Sequence, residues 1–239
     1  CSRNLGHEFG GAVGLLYYVG ETIAASMYVL GAVEAGFESF GLPRFDAHAQ
    51  VVAVVAMLML GATVAVGVKH VNRFASVFLG IVLLSICCAL VGVTLFATGE
   101  YAGALAVGED RAFGDNFGPA WERDRKTGIT PTFWSLLALF YPSVTGIMAG
   151  SNRSGVLKSP TNSIPRGTVS AVVLTTLLYV GVVWVFGSVM SNETLKNEKL
   201  VVALVAWPHP LVVKLGIVMS CIGAALQSLT SAPRLLTAI

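Results

Sequence analysis

Residues Phe140–Gly155 read FYPSVTGIMAGSNRSG, and they interrupt an apolar run that is otherwise long enough to enter a bilayer. Pro142 has no N–H and its ring clashes with the preceding turn, so a regular helix fails there. Gly146 adds backbone freedom, and the run then turns polar at Ser151-Asn-Arg-Ser-Gly. An unpaired carbonyl or amide costs several kcal/mol in lipid, so such a break must face protein or a water-filled cavity. The outer half-helix ends near Pro142 and presents carbonyl oxygens. The inner half begins near Thr145 and presents the amides of Gly146, Ile147 and Met148. The first end suits a cation and the second an anion, with the Thr145 hydroxyl between them as a neutral oxygen ligand. A proline kink repaired by Ser/Thr side chains and water uses the same residues. Both readings stand on these residues alone.

The surrounding chain places this break in a membrane. Of 239 residues, 55% are hydrophobic and only 12% charged, and the mean hydropathy is +0.76. A soluble domain of this length needs more charge to cover its surface. The composition gives an all-α multi-pass membrane protein with six spans: Phe9 to Ala35, Ala49 to Val68, Phe74 to Ala97, Phe133 to Gly150, Gly167 to Met190, and Pro210 to Thr230. Together they form one transmembrane domain over residues 1–239. The chain lacks a starting Met and stops inside an apolar stretch, which reads as an internal segment of a longer protein.

Charge sets the orientation. One set of span ends carries Arg3, Lys69, Arg73, Arg153, Lys158, Arg166 and Arg234; the other carries most of the acids. The chain therefore starts on the inside. The loop Thr98–Pro131 and the connection Ser191–Trp207 lie outside, and the broken span runs from outside to inside. Asn192-Glu-Thr is then an accessible glycosylation candidate, whereas Asn152-Arg-Ser is not.

Polar residues inside the spans are few. The first span carries Glu21, Tyr28 and Glu34. A carboxylate at membrane depth is costly and should face the bundle interior. Tyr28 follows Glu21 by seven residues and shares its face. Its phenol can ligate an ion or sit at an interface, and the residues leave that open. A cation site of carbonyls, a threonine and a tyrosine favours a large, weakly hydrated monovalent ion over a divalent one. Gly10 with Gly14 and Gly20 with Ala24 read as packing positions. The cysteines show no disulfide or metal spacing. No phosphate loop, hydrolytic triad or basic–aromatic patch occurs. Neither an enzyme, a cofactor nor a nucleic-acid partner is expected.

The run PSVTGIMAGSNRSGVLKSPTNSIPRGT resembles the signature stretch of the cation–chloride cotransporter family, in its potassium–chloride branch. EFGGAVGLLYYVGETIAASMYVLGAVE resembles that family's third membrane helix, VKHVNRFAS the linker into the fifth, and AWPHPLVVKLGIVMSCIGAALQSLTSAPRLLTAI the eighth. The resemblance implies helices three to eight of an amino acid–polyamine–cation, leucine-transporter-like fold, a partial inverted-repeat core with a discontinuous helix at Pro142–Gly146. It implies electroneutral symport of potassium and chloride by alternating access. Tyr28, the Pro142 carbonyl and Thr145 would contact potassium. The amides of Gly146, Ile147 and Met148 would contact chloride, and Glu34 would line the transport path. A homodimer in the plasma membrane belongs to the same expectation.

Sodium-coupled relatives carry adjacent serines where this chain has Gly223 and Ala224, which argues against sodium coupling. The outer loop lacks the cysteines of the family's disulfide-held cap, and Glu21 replaces a usual hydroxyl residue. The alternatives are a sodium-coupled chloride cotransporter, an amino acid permease of the same fold, or a multi-span receptor or scaffold that moves nothing.

Overall fold

A computed structural model describes residues 6–42, 46–66, 68–100, 116–119, 121, 123 and 128–236. The elements in chain order are α1 (His7–Phe40), α2 (Asp46–Val66), α3 (Val68–Thr98), α4 (Phe133–Phe140), three 3-10 turns (Tyr141–Val144, Ile147–Ala149, Ser151–Val156), α5 (Pro160–Val189), α6 (Asn192–Asn197), α7 (Val201–Leu204) and α8 (Pro210–Leu236). No strand occurs among the described residues. Stretches of α1, α2, α3, α5 and α8 are long and apolar enough to cross a membrane, while Phe133–Ala149 is a shorter apolar piece. The architecture is that of an all-helical, multi-pass membrane protein. Of the outer loop, 101–115, 120, 122 and 124–127 lie outside the described residues, as does Arg3.

The chain divides into two units, Cys1–Leu105 with Val202–Ile239, and Ala106–Val201. In the first, α8 packs against α1 and α3, and α2 packs against α1. The buried face of α1 is Ala25, Val29, Ala32 and Ser39, a stripe recurring every third or fourth residue or a multiple of that. It is made mostly of small side chains. Lipid tails are as apolar as leucine, so helices in a bilayer associate through close backbone approach rather than water exclusion. Gly216 shows this, since a Cβ there would lie 2.4 Å from the side chain of Ser85. Gly20, read from sequence as a packing position, has open space around it instead.

The ends of α1 follow from local chemistry. Glu8 lies in its first turn, where the helix dipole favours an acid. Gly41 closes it in the left-handed region (φ 64), and the Gly41 and Leu42 amides both donate to the Phe37 carbonyl. The last turn holds no basic residue of its own. Lys214 of α8 supplies one, its Nζ donating to the Ser39 carbonyl at 3.2 Å.

The connection Ser191–Trp207, read from sequence only as a loop, carries α6 and α7 and is buried near its end. Ala203, Val205 and Ala206 are 0% exposed. The Trp207 amide donates to the Cys88 carbonyl of α3 at 3.2 Å. The run VVALVAW is too short to span and folds as a wedge against α3. Gly92 admits it: a Cβ there would sit 2.0 Å from the Val205 carbonyl oxygen.

In the second unit, Thr132 sets the start of α4 through a capping box. The Ser135 amide donates to Thr132 Oγ1 at 3.3 Å, and the Thr132 amide to Ser135 Oγ at 2.8 Å. α5 begins at Pro160, about two turns ahead of the apolar run at Gly167, because a helix persists through polar residues once outside lipid. Asn116 holds its far end, donating from Nδ2 to the Gly187 and Met190 carbonyls at 2.8 and 2.7 Å.

Gly92→Ala is expected to lower thermal stability in detergent by about 2–3 kcal/mol, the scale of overpacking against rigid backbone. Gly36→Ala, in open space on α1, is expected to leave it unchanged or raise it by up to about 1 kcal/mol.

Candidate functional site: the interrupted helix

α4 gives way at Tyr141 to a 3-10 turn over Tyr141–Val144 with Pro142 near its start. Thr145 is then fully extended (φ −74, ψ 162). Gly146 takes a left-handed conformation (φ 98, ψ 7), which only glycine adopts without a steric penalty. This goes beyond a kink, since the axis is lost for two residues. Proline ends the α ladder and glycine turns the chain, so the P-x-x-T-G pattern encodes the break directly.

Several carbonyls of the break take hydroxyl donors. The Phe140 carbonyl accepts from Ser143 Oγ at 2.6 Å. The Pro142 carbonyl accepts from Thr145 Oγ1 at 2.8 Å and from the Thr145 amide at 3.4 Å. The Ser143 carbonyl accepts from the Tyr179 hydroxyl of α5 at 2.8 Å. On the inner limb the Met148 carbonyl accepts from Ser151 Oγ at 2.8 Å. Hydroxyl repair, one of the two sequence readings, therefore does occur. It occurs within a true interruption rather than in place of one.

Pro142 O and Thr145 Oγ1 are thus adjacent. A carbonyl oxygen has two lone pairs, and a hydroxyl that donates its proton keeps its own. The pair can accept the Thr145 proton and still present oxygen to a cation. The inner limb differs from the sequence expectation. It is not an α half-helix but two short 3-10 turns, Ile147–Ala149 and Ser151–Val156. Three glycines (Gly146, Gly150, Gly155) and the polar Ser-Asn-Arg-Ser stretch have weak helix propensity. The amides of Gly146, Ile147 and Met148 still follow directly on the turn, but no aligned α dipole stands behind them. From Thr132 to Gly150 only Pro142 is half-buried; the rest is exposed.

The remaining candidates lie on the first unit. Tyr28 is half-buried against a cluster of Val29, Ala53 and Ala225 with Val33, Ala56, Met57 and Leu60. Glu21 is half-buried and shares its face; Glu34 is exposed and sits six residues on, about 120° round the helix. The structure therefore brings Pro142 and Thr145 into contact, and it places Tyr28 and Glu34 on a different unit. Gly223 faces the Phe78 ring, which a Cβ would meet at 3.4 Å. Asn192 opens α6, where Ser191 Oγ caps the Thr194 amide at 3.2 Å. Sequence reasoning missed Tyr179 and Asn116. Both act on carbonyls far away in sequence, and no local pattern marks such a pairing.

The family model described as Amino acid permease matches residues 1–239. The chain belongs to the amino acid permease family. Within its reach are relatives carrying a more specific name. Cation-chloride cotransporter 1 of Arabidopsis thaliana is 40% identical over 265 residues, covering 99% of this chain and 27% of the relative. Cation-chloride cotransporter 1 of Oryza sativa subsp. japonica is 38% identical, covering 99% and 28%. Cation-chloride cotransporter 2 of the same rice is 36% identical, covering 99% and 27%. This permease-family chain thus spans little more than a quarter of the length of these curated relatives.

Gly146→Ala forces a side chain into the left-handed region, and its expected cost is about 1–2 kcal/mol. Thermal unfolding in detergent should show it. Gly150→Ala, at φ −67 with Thr168 Oγ1 3.6 Å from the new Cβ, should unfold like the parent.

Proposed function

We propose that this chain carries the ion-conducting break of an electroneutral potassium–chloride symporter working by alternating access. The observation that carries the reading is the contact of Pro142 O with Thr145 Oγ1 at 2.8 Å, followed at once by the left-handed turn at Gly146. Two neutral oxygens suit a large monovalent cation, and successive backbone amides after a left-handed glycine turn suit an anion. Moving both together moves no net charge. In this reading Tyr28 adds a phenolic oxygen to the potassium ligands. Gly146, Ile147 and Met148 supply chloride amides, and Glu34 lines the approach.

Similarity to proteins named cation-chloride cotransporters supports cation with chloride as the substrates. It leaves the choice of cation to the chain's own residues. Gly223 and Ala224 offer no side-chain oxygen for sodium, and the apolar Phe78 ring lies in contact range of Gly223. Potassium is therefore the proposed cation. Ion gradients drive the cycle, with no cofactor and no covalent chemistry. A homodimer in the plasma membrane belongs to the same proposal and rests on the family resemblance.

In cells expressing the full-length protein, chloride-dependent rubidium uptake is expected without external sodium. Thr145→Val, which removes one oxygen ligand and the donor to Pro142 O, should cut that uptake about tenfold at unchanged surface abundance. Uptake that survives Thr145→Val intact, or that needs sodium, overturns the reading. Treatment with a glycan-removing amidase should shift the wild-type band, and Asn192→Gln should abolish the shift.

A further inference from the structure

We propose that Tyr179 is a positioning residue for the cation end of the break and that it sets cation discrimination; the inference rests on the transport reading above. The other named carbonyls of the interruption take hydroxyl donors from within their own segment, three residues ahead, as with Ser143, Thr145 and Ser151. The Ser143 carbonyl instead takes its donor from another helix, 36 residues on. The same tyrosine ring meets the Phe140 ring edge-on, with centroids 6.3 Å apart and an interplanar angle of 71°. One side chain therefore grips the break at two points, Phe140 and Ser143, and Pro142 lies between them. The turn that carries the Pro142 carbonyl is clamped from outside its own sequence.

The clamp has a chemical consequence. A 3-10 turn of four residues has few internal bonds to hold its carbonyl directions. The Tyr179 hydroxyl fixes the Ser143 carbonyl and takes up one of its lone pairs, which keeps that oxygen from turning towards a bound cation. Without the hydroxyl, the carbonyl is free to hydrate or to join the ion's ligands. A mobile oxygen can close in on a smaller cation, whereas one held in place cannot follow it. Tyr179 thereby holds the ligand set sparse and rigid. It need not touch the ion to do so.

Tyr179→Phe tests this, because it keeps the ring against Phe140 and removes only the donor. In the full-length protein the apparent KM for rubidium should rise about three- to tenfold. The KM for chloride should change by less than about twofold, and sodium or lithium should compete with rubidium more strongly than in wild type. A merely structural role would lower surface abundance and maximal rate with both KM values and the competition order unmoved; that result overturns the proposal. Should Tyr179→Phe fail to reach the surface, Phe140→Leu slackens the same ring and should give the same split at smaller size. Unchanged KM values there also overturn it. The split is read for whichever alkali cation the wild-type protein carries. Sodium-dependent uptake in wild type thus sinks the potassium–chloride reading alone, and an unaltered cation KM in the variant sinks the positioning role alone.

Discussion

A backbone carbonyl released from a helix needs another donor, and around Pro142 the second unit meets that need with hydroxyls. Pro142 ends the α ladder of α4, and Gly146 turns the chain. The Phe140, Pro142 and Ser143 carbonyls accept from the hydroxyls of Ser143, Thr145 and Tyr179 in turn. Each net hydrogen bond is worth about 1 kcal/mol, but leaving one unmade at this depth costs more. The hydroxyls are therefore conditions for the break rather than ornaments on it. They also explain why a stretch so rich in Ser, Thr and Gly can sit in an apolar span.

The first unit solves a different problem with the opposite chemistry. Its helices keep their α ladders, their Ser and Thr hydroxyls mostly bond back to carbonyls of the same helix, and the helices adhere through small residues. Val29 of α1 packs with Ala53 of α2 and Ala225 of α8, while Gly92 and Gly216 let backbone and side chains approach within distances that a methyl group would forbid. Lys214 crosses to the Ser39 carbonyl and completes the end of α1 with a charge that helix lacks. Rigid packing and a hydroxyl-stitched interruption suit different tasks: one resists deformation, and the other presents oxygens and amides in fixed directions.

Much of this was legible in the residues. Apolar run lengths marked the helices, and P-x-x-T-G marked the interruption, because proline and glycine act through their own covalent geometry. What was not legible depends on partners distant in sequence. Tyr179 finds Ser143, Asn116 finds the end of α5, and VVALVAW finds the groove at Gly92; hydropathy is silent on all three. The expected α half-helix after the turn is short 3-10 structure, since three glycines and a polar run outweigh the apolar residues Ile147, Met148 and Ala149. The start of α5 was placed late because hydropathy reports where lipid begins, not where a helix does.

Asn116 carries a practical lesson. Both bonds from its amide nitrogen are spent on the last carbonyls of α5, and its Oδ1 is buried. The connection between α3 and α4 is therefore buttoned at Asn116 to the helix that bears Tyr179. Epitope tags or fluorophores grafted there will be tolerated according to which side of that button they fall on and whether they spare it, rather than according to how long they are.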